Sequence, residues 1–177
     1  CVLLHDAGAG IVIADSERAR AEELKRAYPA IEIVDTDRIF SVDADIFAPC
    51  AMGSALDDAT IPLLKTPIVA GAANNQLAKD KHDQMLADHD ILYAPDYIAN
   101  AGGLIRVAYE YFARMGQNPF SKDITYNSMM AHVAGIDTTL EDIFKQARDL
   151  RRPTGQIADE RAEAIFSQGQ GRHSAAE

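Results

Sequence analysis

The sequence predicts an α/β fold built on a doubly wound parallel sheet, and three observations lead there. Five short, mostly apolar runs recur through its first half: Gly10-Ile-Val-Ile-Ala14, Ile31-Glu-Ile-Val34, Asp45-Ile-Phe-Ala48, Ile68-Val-Ala70 and Ile91-Leu-Tyr93. Such runs suit strands buried on both faces of a parallel sheet. Polar stretches of helical character separate most of them, with short connections, as in alternating strand and helix. The runs also end in polar or small turn residues, where a parallel sheet places its ligands.

Taken in order, Cys1-Val-Leu-Leu-His-Asp-Ala-Gly8 reads as the closing turns of a helix ending at glycine. The first strand follows, and Asp15 or Ser16 caps a helix over residues 17–28 that Pro29 stops. Residues 31–34 form the second strand, 36–40 a helical turn and 45–48 the third strand. A helix over 57–64, a strand over 68–70, a helix over 79–89 and a strand over 91–93 complete the alternation. Beyond Gly103 the chain is helical: 104–115, a break at Gly116-Gln-Asn-Pro-Phe120, then 123–150 and 154–166. The long helix shows apolar residues at helical spacing (Ile124, Met129, Val133, Ile136, Leu140, Ile143, Phe144). Residues 1–166 read as one domain, and 167–177 as a polar, frayed tail.

Bulk properties narrow the function. The 177 residues are 47% hydrophobic and 25% charged, which suits a globular domain with a substantial core. Lys plus Arg number 17 against 27 Asp plus Glu, for a net charge of -10. Without a basic cluster, neither nucleic acid nor an anionic membrane surface is an expected partner. No run is long and apolar enough for a transmembrane helix. Cys1 and Cys50 form no CxxC or Cys/His pattern, so neither a disulfide framework nor a metal site is expected, and a reducing cytoplasm is the expected location.

The candidate functional residues lie where the strands end. The fourth run leads to Asn74 and Asn75, and the fifth to Asp96 and then Asn100-Ala-Gly-Gly103. Uncharged amides at successive strand ends donate to and accept from a carboxamide or ribose hydroxyl without adding charge, which suits a nicotinamide ring. Either asparagine of the pair can equally form the turn, and Asn100 can equally cap a helix. Asp15, at the end of the first strand, suits the adenosine ribose hydroxyls and repels a 2′-phosphate. That favours NAD, although Arg18 and Arg20 keep NADP open; a helix cap is the other role for Asp15. The small residues of Ala48-Pro-Cys-Ala-Met-Gly53 allow backbone to approach a ligand. They make Pro49, Cys50 and Ala51 candidates near the ribose, with Cys50 a small packed residue rather than a nucleophile. The five histidines show no partnering pattern and read as surface residues.

Ala72-Ala-Asn-Asn-Gln76, Ala94-Pro-Asp-Tyr-Ile-Ala-Asn-Ala-Gly-Gly103 and Asp45-Ile-Phe-Ala-Pro-Cys-Ala-Met-Gly53 together resemble the cofactor-domain signature of the leucine/phenylalanine/valine dehydrogenases. These belong with glutamate dehydrogenase in one superfamily, and the likeness runs in order from Cys1 to about Phe166. The resemblance implies a Rossmann-like sheet, NAD, and reversible oxidative deamination of a branched-chain or aromatic amino acid by a homo-oligomeric enzyme. It places Asn74 near the nicotinamide ribose and Asn100 beside the nicotinamide and the substrate amine. Leu104 and Val107, three residues apart on one helix face, would line an apolar substrate pocket, with core packing as their alternative. The family's Gly-rich phosphate loop and first strand would precede Cys1, and its catalytic lysines and aspartate would lie in an N-terminal domain. No catalytic residue is therefore assigned in this chain, which is expected to be the C-terminal part of a longer enzyme. A glutamate dehydrogenase and a non-catalytic nucleotide-binding module remain the other readings.

Overall fold

The computed structural model describes residues 1–173, with side chains through residue 167. Helix α1 (Val2–Asp6) ends at Gly8, whose φ of +87° costs a residue without Cβ little. Strand β1 (Val12–Ile13) leads into helix α2 (Arg18–Ala27), and Asp15 Oδ1 accepts the Glu17 N–H at 2.8 Å. Of the two candidate caps, Asp15 is thus the one that binds backbone at this end. Strand β2 (Glu32–Ile33) pairs in parallel with β1. A 3₁₀ turn (Ile39–Ser41) then precedes β3 (Ile46–Phe47).

The helix expected over 57–64 is only a 3₁₀ turn, Ile61–Leu63. Pro62 supplies no N–H, and the Asp57 carboxylate takes the Ala59 and Thr60 N–H groups at 2.8 and 2.9 Å, which closes a turn rather than extending a helix. Strand β4 (Ile68–Val69), helix α3 (Lys81–Asp88) and strand β5 (Leu92–Tyr93) follow. Strands β3, β4 and β5 are parallel neighbours in that order. The five strands thus fall into two parallel groups, β1-β2 and β3-β4-β5, rather than the single sheet expected.

The C-terminal part is helical as expected, with shifted boundaries. Helix α4 (Asp96–Ala99) joins α5 (Ala101–Met115) through Asn100, so helix begins well before Leu104. Helix α6 (Tyr126–Leu150) starts at a Thr125 cap, whose hydroxyl accepts the Ser128 N–H at 3.1 Å. Helix α7 (Thr154–His173) runs on past Phe166, where the tail was expected to begin; residues 174–177 lie outside the described residues. None of the described helices is long and apolar enough to cross a membrane.

The main core lies over β3-β4-β5. Leu56, Ile61, Val69, Leu86, Ile91 and Tyr93 are buried together, with Phe47, Leu64, Leu77 and Met85 against them. Each fully buried Leu or Ile contributes about 1.5–3 kcal/mol, so this cluster fixes the three strand ends that carry the polar turns. A second cluster of Ile143, Ala147, Ile157 and Ala158 meets Ile98 and seats α6 and α7 against α4.

Candidate functional site

Three loops leave the carboxyl ends of β3, β4 and β5, and hydrogen bonds bind them into one unit. Pro49, buried after β3, accepts the Ala73 N–H through its carbonyl at 2.9 Å. The loops touch so closely that a Cβ on Gly71 would overlap the Pro49 backbone, so only glycine fits there. Further along, Ser54 and Leu56 donate their N–H groups to the Asn75 and Gln76 carbonyls at 2.6 and 3.0 Å. The third loop joins through Asn100, whose Nδ2 donates to the Ala73 carbonyl at 2.8 Å. Asn100 therefore does not cap α5 with its side chain; it ties the β5 loop to the residue before Asn74.

The asparagine pair divides its roles. Asn75 adopts a left-handed φ of +53° and forms the turn, which Asn tolerates better than most residues. Asn74 leaves an exposed amide at the tip. Pro49, Asn74 and Asn100 thus come together at one edge of the three strands. Ala51 is exposed on the same loop, as is Cys50, which is not the packed residue the sequence suggested. Leu104 and Val107 follow Asn100 on α5 and are 73% and 61% exposed, so neither packs into a core within the described residues. Their neighbours Arg106 and Glu110 pair with each other at 2.9 Å.

Asp15 lies apart from these loops, at the carboxyl end of β1. It lines a groove of about 200 Å³ with Ser16, Arg18, Ile33, Val34, Asp35 and Thr36. Its Oδ1 holds the N–H of Glu17, which closes the turn before α2 without capping the helix, and the carboxylate also faces the groove. Carboxylates hold both nearby arginines. Arg18 reaches Glu22 at 3.2 Å and Asp35 at 3.3 Å, and Arg20 reaches Glu17 at 3.3 Å.

Three contributors were missed in the sequence. Gln76 is wholly buried, and its Nε2 donates to the Gly71 and Ala73 carbonyls at 2.9 Å each. Asp96 is buried beneath the Asn75 turn, bonded to Tyr93 and to the Asn75 N–H. Asp96 offered a signal, a carboxylate between Pro95 and Tyr97-Ile98-Ala99, whereas Gln76, next to Asn74 and Asn75, offered none. His82, expected at the surface, is 1% exposed: its Nδ1 accepts the Lys79 N–H at 3.0 Å and its Nε2 faces Asp58 at 3.5 Å. Among the described residues no group of His, Cys, Asp or Glu could hold a metal ion.

Parallel strands with polar side chains gathered at their carboxyl ends define an α/β protein, a class in which that edge is the common place for a ligand. A model of the Glutamate/Leucine/Phenylalanine/Valine dehydrogenase family matches residues 8–165, and the chain belongs to that family. It is 39% identical to a leucine dehydrogenase of Thermoactinomyces intermedius over 92% of this chain and 42% of that protein. It is 41% identical to an L-tryptophan dehydrogenase of Nostoc punctiforme, over 92% and 43% respectively. The crystal structure of L-tryptophan dehydrogenase from Nostoc punctiforme is similar with a TM-score of 0.83 at 38% identity, across 96% of this chain and 48% of that one. A hetero-hexameric glutamate dehydrogenase from Thermus thermophilus shares the fold at a TM-score of 0.56 and 14% identity, across 89% of this chain and 47% of that one. The chain thus spans less than half the length of the relatives it matches.

Proposed function

We propose that this chain is the NAD-binding part of an amino-acid dehydrogenase that reversibly deaminates a branched-chain L-amino acid to the 2-oxo acid, ammonia and NADH. The observation that carries the proposal is the bond from Asn100 Nδ2 to the Ala73 carbonyl, beside Asn74, at the ends of adjacent parallel strands. That joint sets two neutral amides at the edge where a nicotinamide carboxamide and ribose need donors and acceptors. The close backbone approach at Gly71 and Pro49 leaves the same edge lined by peptide groups and small side chains, which fits a flat ligand. On this reading β1-β2 and β3-β4-β5 are the two halves of a Rossmann-like sheet. The strand and Gly-rich loop that hold the pyrophosphate would lie between β1 and β3 in the complete enzyme.

Each residue then has a task. Asp15 accepts the adenosine ribose hydroxyls, and its charge disfavours a 2′-phosphate. Arg18 and Arg20 are each paired with nearby carboxylates, which counts against their serving a 2′-phosphate. Pro49, Cys50 and Ala51 line the path toward the nicotinamide ribose. Asn74 and Asn100 orient the nicotinamide end, and Asn100 also meets the substrate amine. Leu104 and Val107 offer an exposed apolar surface beside Asn100, suited to a branched side chain and opposed to the carboxylate of glutamate. When bound, NAD supplies the hydride acceptor; the protein positions it and excludes water. The proton-transfer groups would come from a preceding domain of a homo-oligomeric, cytoplasmic enzyme.

An aromatic substrate is the second reading, favoured by the 41% identity to L-tryptophan dehydrogenase. Assaying the complete enzyme by NADH absorbance with leucine, valine, phenylalanine, tryptophan and glutamate tests both. Highest kcat/KM with leucine or valine supports the first and with phenylalanine or tryptophan the second. NADH from none of them contradicts the assignment as a dehydrogenase.

A further inference from the structure

Asn74 is held by its two flanking peptide groups, and only one side of that grip comes from residues already assigned to the site. On the N-terminal side, the Ala73 carbonyl receives two amide donors, Asn100 Nδ2 at 2.8 Å and Gln76 Nε2 at 2.9 Å. On the C-terminal side, the Asn75 N–H donates to Asp96 Oδ2 at 2.5 Å. The Asp96 carboxylate is itself fixed, because its Oδ1 accepts the Tyr93 hydroxyl at 3.0 Å and its own N–H donates back to that hydroxyl at 3.3 Å. Asp96 is 9% exposed and Tyr93 only 2%, so water offers little alternative to these bonds. Burial pushes the Tyr93 phenol's pKa up, which keeps it a donor at working pH. A carboxylate suits the place because two donors converge on it and it has acceptors alone to offer them.

We propose that Asp96 is a positioning residue of the cofactor site: its carboxylate clamps the Asn74–Asn75 peptide and thereby aims the Asn74 amide. Fixing the peptides before and after Asn74 fixes its φ and ψ, and so the direction in which its side chain leaves the turn. The left-handed φ of Asn75 turns the chain away directly after the clamped peptide. The proposal rests on the reading that Asn74 serves the nicotinamide end.

The test compares two ligands in the complete enzyme, NAD and ADP, which lacks the nicotinamide and its ribose. Loss of a charge-assisted hydrogen bond corresponds to about tenfold or more, so Asp96→Ala is expected to weaken NAD by about that factor and ADP by less than twofold. Asp96→Asn keeps one acceptor for the Asn75 N–H and is expected to recover part of the loss. It carries the same comparison if the alanine variant does not fold. Equal weakening of both ligands, or no change in either with the fold intact, overturns the proposal. Asn74→Ala separates this failure from failure of the underlying reading. If it shifts NAD alone while the Asp96 variants do not, only the clamp is wrong; if it shifts neither ligand, the assignment of Asn74 is wrong as well.

Discussion

Asn100 and Asp15 show how one side chain can look like a helix cap and serve a different end. Both stand where a helix begins. Asp15 binds the N–H of Glu17, the residue before α2, at 2.8 Å, and it also lines a groove. Asn100 leaves the α5 terminus alone and binds the Ala73 carbonyl. If Asp15 holds the adenosine ribose, Asp15→Ala raises the KM for NAD by about 10–100-fold, the range for a lost hydrogen bond to a charged group. The accompanying change in kcat should be small, because the ribose lies far from the hydride. An unchanged KM would leave Asp15 with the turn alone. Leu104 offers a complementary test. At 73% exposed it contributes little to folding, so Leu104→Ala should leave stability within about 0.5 kcal/mol. The same variant should lower kcat/KM for leucine more than for alanine. A loss of thermal stability with no change in preference would return Leu104 to a packing role.

Among the elements, the start of α7 is where distant parts of the chain meet. Asp83, on α3, accepts the Gly155 and Gln156 N–H groups at 3.2 and 3.1 Å and so caps α7 from another helix. Thr154 donates its hydroxyl to the Tyr93 carbonyl at 2.7 Å, and Tyr97 donates to Asp159 at 2.6 Å. Burial pushes the Asp83 pKa up, opposed by its two N–H donors and reinforced by nearby Asp159. Because the folded pKa is raised, folding favours the protonated form. The stabilisation is full below the unfolded pKa of about 4 and is lost as pH rises through the folded value. Asp83→Asn removes that titration while keeping an acceptor. The Tm of the native chain relative to this variant should therefore fall as pH rises above about 4, the unfolded value. A Tm difference independent of pH would show that Asp83 ionises without cost.

Across the whole molecule, alternation of strand and helix was readable because buried parallel strands carry apolar runs and their ends carry turn residues. All five expected strands formed, each within the expected run. Residues 57–64 misled because Pro62 and the Asp57 turn decide that segment locally, whereas its apolar spacing suits a helix. The division of the strands into two groups was not visible, since spacing along the chain does not report which strands are neighbours. Around the candidate site, the polar residues at the loop tips stood out in the sequence by their chemistry. The groups beneath them did not, because the partners of Gln76, Asp96 and His82 are set by tertiary contact.

The central claim is that one edge of this chain binds NAD, adenosine at Asp15 and nicotinamide at Asn74 and Asn100. Chemical-shift mapping of the isotope-labelled chain during titration with NAD tests it most directly, because it reports weak binding residue by residue. Shifts are expected at Asp15 and Ser16, at Ala51, at Asn74 and Asn75, and at Asn100, with ADP, which lacks the nicotinamide and its ribose, reproducing only those near Asp15. Shifts confined to other surfaces, or Asn74 and Asn100 responding equally to ADP, would contradict it.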